Sequence, residues 1–124
     1  MHSASDTETG IEVSWKERII SYDEIPEAVK IRKAVFVEEQ KLPEDLEFDD
    51  LDFESPHLLV YLNKELVGTA RLVYKGGKYF YSRIAVGKEH RGKGIGKVIV
   101  EELEKKARSK GIKEVHLESQ LDKR

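Results

Sequence analysis

The chain has 124 residues, of which 39% are hydrophobic and 37% charged, and it contains no cysteine. This length and composition predict one soluble, charge-rich domain, and they exclude disulfides, thiol catalysis and cysteine-based zinc or iron–sulfur sites. The sequence has no apolar run long enough for a membrane span and no basic-then-apolar leader, so we expect a cytoplasmic location.

Charge is distributed unevenly along the chain. Residues 1–65 carry 7 basic against 17 acidic side chains, a net −10, whereas residues 66–124 carry 15 against 7, a net +8. The acidic half is suited to a cationic partner and the basic half to a polyanionic one. The alternative is that the two halves intermix in the fold and cancel. A nucleic-acid-binding role is disfavoured, because aromatic residues do not interleave with the basic ones and the pI is about 6.1.

In chain order, residues 1–10 are polar and without periodicity, which predicts a disordered lead before a single domain at 11–124. The alternation that begins at Ile11 predicts a first strand, with Ile19 continuing its apolar face. A helix start is predicted between Ser21 and Pro26. Apolar residues then recur at helical spacing to about Gln40, and Pro43 ends the pattern.

An acidic loop follows, because residues 44–54 hold seven carboxylates and no basic side chain. Such a loop is suited to attract an ammonium-bearing acceptor and to take its proton. A calcium loop is disfavoured, since no glycine occupies the required turn position. The remaining alternative is a solvated loop whose carboxylates cap backbone N–H groups. Interleaved apolar residues predict that the loop folds onto the core: Leu46, Phe48, Leu51 and Phe53.

Three antiparallel strands come next, joined by two turns rich in asparagine, lysine and glycine. A helix is predicted from Gly94 to Lys110, ended by Gly111. Because a strand that follows such a helix crosses over the sheet, the last strand is expected to lie parallel to the third of these strands. The predicted strands are His57–Leu62, Leu66–Tyr74, Lys78–Val86 and Ile112–Leu117.

A glycine-rich turn joins the strand ending at Val86 to this helix. Its glycines alternate with basic and apolar residues in the run Arg91-Gly92-Lys93-Gly94-Ile95-Gly96-Lys97. Glycines allow the backbone to approach a ligand, and a helix start offers free N–H donors and partial positive charge. The turn is therefore suited to hold a pyrophosphate. The spacing fits neither the Rossmann nor the Walker pattern.

The run Arg91–Gly96 matches Arg/Gln-x-x-Gly-x-Gly/Ala, the coenzyme A pyrophosphate signature of the GNAT superfamily of acyl-CoA N-acyltransferases. Arg83–Val86 resembles the fourth strand of that family. Independently, Ile31–Gln40, with Pro43, the acidic loop and His57 after it, resembles a small prokaryotic branch that carries Arg-x-x-Val-Phe-Val-x-Glu-Gln. The resemblance implies an α+β fold of three-layer type. Its sheet would be mixed and mainly antiparallel, with flanking helices, and truncated after the fifth strand.

The resemblance also implies an activity: transfer of an acetyl group from acetyl-CoA to a primary amine by direct attack. The acceptor would be a small-molecule amine or a lysine-like group. No cysteine is available for an acyl-enzyme. The cofactor-binding residues implied are Ile84, Ala85 and Val86 for the pantetheine arm, and Arg91, Gly92, Lys93, Gly94, Ile95, Gly96 and Lys97 for the pyrophosphate. The candidates for the catalytic base are Glu47, His57 and Glu118, with His116 less favoured. Arg83 is expected to pair with a carboxylate of the acidic loop rather than to touch substrate.

The chain departs from the family pattern at its C-terminal end. GNAT proteins usually continue past the fifth strand with a segment that carries a tyrosine general acid, whereas this sequence ends at Arg124. The expectation is a truncated form, a form completed by a partner, or a coenzyme A-binding module without turnover. An exposed sheet edge would favour a homodimer.

Overall fold

The computed structural model describes residues 10–118, so residues 1–9 of the predicted lead 1–10 and the segment 119–124 lie outside the described residues. Five strands form one sheet in the order β1-β2-β3-β4-β5. Neighbouring strands are antiparallel except β4 and β5, which are parallel, as the crossover rule predicts. The strands are β1 Ile11–Lys16, β2 His57–Leu62, β3 Glu65–Lys75, β4 Lys78–Val86 and β5 Val115–Leu117.

Helices cover both faces of this sheet. Leu58 and Val60 of β2 pack under the last helix, whereas Leu59 between them packs under the first. The mixed sheet between helical layers confirms the predicted fold class. Within residues 10–118, no helix is long and apolar enough to cross a bilayer. The helices are α1 Pro26–Arg32, a π-helical continuation Lys33–Glu39, α2 Glu44–Glu47 and α3 Ile95–Ser109, with 3₁₀ turns at Tyr22–Glu24, Asp50–Phe53 and Lys88–His90.

The first strand is shorter than predicted. It ends at Lys16, and Ile19, which we expected to continue its apolar face, lies beyond the strand in the core under α1. The predicted helix start is confirmed, because the Ser21 side chain caps a 3₁₀ turn and Pro26 occupies the first position of α1. The helix predicted to about Gln40 is not uniform: at Lys33 the α-helix gives way to a wider π-helix.

Strand β4 changes direction before it reaches the glycine-rich turn. A β-bulge interrupts its pairing with β3, and Arg83 at this bulge adopts φ +53°. Strand β5 pairs with β4 only at Tyr79, Phe80 and Tyr81, and the last link is the Glu118 N–H donated to the Tyr81 carbonyl (3.1 Å). Among the described residues, β4 has no strand partner on that side after Tyr81. We call this divergence of β4 and β5 the fork.

Candidate active site

The glycine-rich turn, residues 91–97, is open on its glycine side. Gly92 and Gly94 adopt φ +82° and +83°, a conformation that residues with a side chain rarely take. Gly94 is also the N-cap of α3. A β-carbon added at Gly92, Gly94 or Gly96 would meet nothing within 4 Å. The absent side chains therefore leave free space beside the main chain rather than allowing close packing.

The main-chain N–H groups of this turn are available to a ligand. Gly87, His90 and Val98 donate to the carbonyls of Val67, Gly87 and Gly94 at 2.8, 2.9 and 3.2 Å. Within residues 10–118, by contrast, no main-chain carbonyl lies in good hydrogen-bond geometry with the N–H groups of residues 91–97, and no side chain caps the start of α3. Unsatisfied donors at a helix start, combined with the helix dipole, favour a bound anion.

Arg91 is anchored rather than free. Its Nη1 and Nη2 each lie 2.8 Å from a carboxylate oxygen of Glu39, at the end of the π-helical segment. Its Nε donates to the Val86 carbonyl at 3.3 Å. The hydrogen bonds from Arg91 hold the pKa of Glu39 below its ordinary value. The pair thus connects the turn to the helical layer on the α1 face.

The end of β4 offers main-chain groups to the fork. Because Gly87 N–H donates to Val67 of β3, the alternation of an antiparallel ladder turns Val86 away from β3 and Ala85 towards it. The contact of Arg91 with the Val86 carbonyl agrees with this. Of the predicted pantetheine contacts, Val86 therefore has its main chain on the open side, whereas that of Ala85 belongs to the β3 ladder.

Three buried arginines hold the acidic loop against the sheet. Arg32 of α1 donates from Nε to Glu47 (2.6 Å) and from Nη1 to Asp52 (2.9 Å). Arg71 of β3 donates from Nη1 to Asp49 and to Asp52, both at 2.7 Å. The Tyr22 hydroxyl adds a bond to Asp52 at 2.6 Å. Charge-assisted bonds of this kind fix the loop in place.

The third arginine connects the loop to the fork. Arg83, at the bulge, donates from Nη1 to Glu118 Oε1 (2.9 Å) and from Nη2 to the Leu46 carbonyl (3.1 Å). Its Nε lies 2.8 Å from Glu47 Oε1, although the two are not aligned for a hydrogen bond. The expectation that Arg83 pairs with the acidic loop is confirmed. The acidic and basic halves therefore intermix here, as one of the two alternatives predicted.

The acidic loop buries charge and exposes an apolar side chain. Glu47 and Asp52 have no exposed side-chain surface, whereas Leu46 is 59% exposed. The prediction that the loop folds onto the core is confirmed, since Phe53 packs against the core cluster under α1, but Leu46 points to solvent. Sequence reasoning did not single out Arg32 and Arg71 as the partners of the buried carboxylates Glu47 and Asp52. The available signal was a basic residue inside an otherwise apolar helix face or strand, a position where an unpaired charge is costly.

The three candidate bases lie in different environments. Glu47 is fully buried, and burial raises its pKa although Arg32 and Arg83 act in the opposite direction. His57 is buried with Nε2 2.7 Å from the Asp52 carbonyl; burial lowers its pKa, and the charges of Arg32 and Arg71 add to that effect. These two side chains touch no open surface.

Glu118 is the candidate that reaches the fork. Its side chain is 14% exposed. Oε1 accepts from Ser82 Oγ and Arg83, and Oε2 lies 3.2 Å from Lys75 Nζ. Burial by itself would raise the pKa of Glu118, but the hydrogen bond from Ser82 and the charges of Arg83 and Lys75 outweigh it and lower the pKa. Glu118 is therefore held as a carboxylate beside the fork.

Comparison with known proteins identifies this arrangement. The sequence profile described as the Acetyltransferase (GNAT) family matches residues 23–124, which include the whole site. The chain belongs to the GNAT acetyltransferase family. GNAT proteins use acyl-CoA cosubstrates, and the family supports acyl transfer as the reaction.

Relatives agree with the GNAT assignment. The chain is 38% identical over 107 residues to the uncharacterized protein YyaT of Bacillus subtilis, covering 84% of this chain and 72% of YyaT. It is 39% identical over 89 residues to the uncharacterized N-acetyltransferase YjcF of Bacillus subtilis, covering 72% of this chain and 64% of YjcF. An acyl-CoA N-acyltransferase from Pseudomonas aeruginosa superposes with a TM-score of 0.75 at 25% identity, covering 86% of this chain and 76% of that one. YjcF is thus named an N-acetyltransferase and the Pseudomonas protein an acyl-CoA N-acyltransferase, in agreement with the family.

Proposed function

We propose that this GNAT protein transfers the acetyl group of acetyl-CoA to a primary amine by direct attack. The observation that carries the proposal is the set of N–H groups at residues 91–97, which find no main-chain acceptor within residues 10–118 and follow the end of β4. A pyrophosphate fits there, because the glycines leave room and the helix start favours an anion. Arg91, Lys93 and Lys97 would add charge attraction.

Main-chain groups at the end of β4 would hold the pantetheine arm. Val86 turns its main chain to the open side, and we propose that Ile84 does so beside it. When bound, acetyl-CoA supplies the thioester carbonyl that the amine attacks. The bulge at Arg83 redirects the main chain at that point, so a nearby N–H group is suited to stabilise developing negative charge on an oxygen.

Glu118 is the side chain that we propose contacts the acceptor. A primary alkylammonium titrates near ~10.4, so it arrives charged at neutral pH and must lose a proton before it attacks. Glu118, kept ionised by its neighbours, would bind the ammonium and pass its proton to solvent. We propose that Glu47 and His57 hold the loop and the bulge instead, since both are buried and occupied by the protein.

A thiol-release assay tests the proposal. Acetyl-CoA is offered with a panel of primary amines, and release of free thiol is measured for the natural chain, for Glu118→Gln and for Glu114→Gln. Loss of the carboxylate at 118 is expected to lower turnover by about 10²-fold or more. Glu114, whose side chain is 82% exposed, is the control and should leave turnover unchanged. If coenzyme A binds saturably but no amine in the panel causes thiol release, the protein is a coenzyme A-binding module and not an enzyme.

A further inference from the structure

A lysine of the chain itself occupies the place where we expect an acceptor amine. Lys75 ends β3, and its Nζ lies 3.2 Å from Glu118 Oε2 and 5.5 Å from the centre of the Phe80 ring. The other oxygen of Glu118 accepts from Ser82 and Arg83, the residues at which the fork opens. One carboxylate therefore connects this ammonium to the fork.

The surroundings of Lys75 suit a primary ammonium that must also be able to move. Phe80 offers a ring face, and the ring of His116 lies 5.5 Å from that of Phe80. The Lys75 side chain is 49% exposed, so it is held by a carboxylate and a ring rather than enclosed. A lysine has a flexible four-carbon stem, which lets Nζ turn about Glu118 towards the fork without a backbone change.

We propose that Lys75 is an acetyl acceptor within its own chain, so that the protein acetylates itself at this position. The proposal rests on the proposed function, because it uses the same donor and the same fork. In the step, Lys75 Nζ loses a proton to solvent through Glu118 and forms a bond to the acetyl carbonyl carbon. The carbon–sulfur bond of acetyl-CoA breaks, the nitrogen releases its second proton, and the sulfur takes up a proton and leaves as coenzyme A thiol. The products are Nε-acetyl-Lys75 and free coenzyme A.

Two lysines serve as internal references. Lys33 matches Lys75 in exposure, at 45% against 49%, and in having a carboxylate partner, since its Nζ lies 3.0 Å from Glu44. It sits on the π-helical segment rather than at the fork. Lys78 lies on the same hairpin as Lys75 but makes no ion pair or hydrogen bond with its side chain among residues 10–118.

The experiment compares two acylating agents on the full chain, with peptide mass spectrometry of the three lysines. Acetic anhydride, which does not need the fork, should label Lys78 fastest and should label Lys75 and Lys33 at similar rates. Acetyl-CoA should instead label Lys75 fastest of the three, at least about a hundredfold faster than Lys33, because the fork would hold donor and amine together. The rate constant should not depend on protein concentration. The same order of labelling with both agents, or a rate that rises with protein concentration, would overturn acetylation within the chain.

A second readout needs no acetyl transfer. Coenzyme A, which has no acetyl group to give, should shift the NMR signals of the Lys75 side-chain methylenes and leave those of Lys33 in place. If coenzyme A binds and the Lys75 signals do not move, Lys75 is not near the donor and the proposal fails.

Variants separate this proposal from the proposed function. Without added amine, acetyl-CoA should release about one thiol per chain from the natural protein and from Lys78→Arg, and none above background from Lys75→Arg. If thiol release requires an added amine and Lys75 stays unmodified, self-acetylation is wrong and the N-acetyltransferase stands. If coenzyme A does not bind at all, both fail.

Discussion

Arg91 and Glu39 form a two-point ion pair, with both nitrogen–oxygen distances at 2.8 Å, and this pair engages the one arginine of the glycine-rich turn. A guanidinium that binds a pyrophosphate must either leave its carboxylate partner or share itself between two anions. Glu39 therefore competes with the proposed ligand for Arg91.

Neutralising Glu39 should strengthen coenzyme A binding. Glu39→Gln keeps an oxygen acceptor for Arg91 but removes the competing negative charge. The pair is about 40% exposed on both sides, so solvent screens it and the gain should be only a few-fold. Titration calorimetry with coenzyme A measures the change. Glu38→Gln on the same segment is the control and should leave affinity unchanged; weaker binding by Glu39→Gln would show that Glu39 positions Arg91 instead.

A methyl group at Gly94 should block the proposed pyrophosphate site. Gly94 has φ +83° and open space around its missing β-carbon, and Gly111 shares both features, with φ +74°, at the other end of α3. Each alanine variant should lose about 1–2 kcal/mol of unfolding free energy, because alanine is strained in this conformation. Only Gly94→Ala should also lose coenzyme A affinity, by about tenfold or more, equivalent to about 1.4 kcal/mol of binding free energy. Equal coenzyme A affinity in the two variants would show that the ligand does not lie against Gly94.

Removing the charge of Asp52 should destabilise the fold strongly. Its side chain has no exposed surface and accepts bonds from Arg32 (2.9 Å), Arg71 (2.7 Å) and Tyr22 (2.6 Å). Asp52→Asn would leave two buried arginines without this carboxylate, at a cost of about 3–5 kcal/mol in urea unfolding. Asp50→Asn in the same turn is exposed and should change stability by less than about 0.5 kcal/mol. A small effect at Asp52 would mean that the arginines find other partners or water.

His57 should make stability depend on pH in the mildly acidic range. An unfolded histidine titrates near ~6.5, and burial lowers the pKa of His57 in the folded chain. The unfolded state therefore binds the proton first, and stability falls as pH drops from about 6.5 towards the lower folded pKa.

This dependence can be isolated by substitution. His57→Gln keeps a side-chain N–H for the Asp52 carbonyl but does not titrate. Thermal melts between pH 7.5 and 5 should show a smaller drop in melting temperature for this variant than for the natural chain, with His116→Gln as the control. An unchanged slope in His57→Gln would assign the pH dependence to other groups.

The sequence by itself determined the order of the strands, the crossover helix and the glycine-rich turn, because these depend on near-neighbour patterns. It made the first and last strands too long: β1 ends at Lys16, and β5 is Val115–Leu117 rather than Ile112–Leu117. Alternation predicts a strand, and a glycine after basic residues ends α3. The alternating glycines at 92, 94 and 96 mark a turn whose N–H groups find no main-chain acceptor within residues 10–118. It also supplied the family, since that signature lies within one short run of residues.

Only the tertiary structure decided what the acidic loop does. The sequence shows seven carboxylates without a basic neighbour. The arginines that bind this loop lie on α1, β3 and β4, and Arg83 is 37 positions from the Leu46 carbonyl that it contacts. No local pattern joins Asp52 to Arg32 and Arg71, or Arg83 to Glu118. Burying such charges requires opposite charges at fixed distances, and those distances exist only after the sheet and helices have packed. The same packing separated Glu118, which reaches the fork, from Glu47 and His57, which do not.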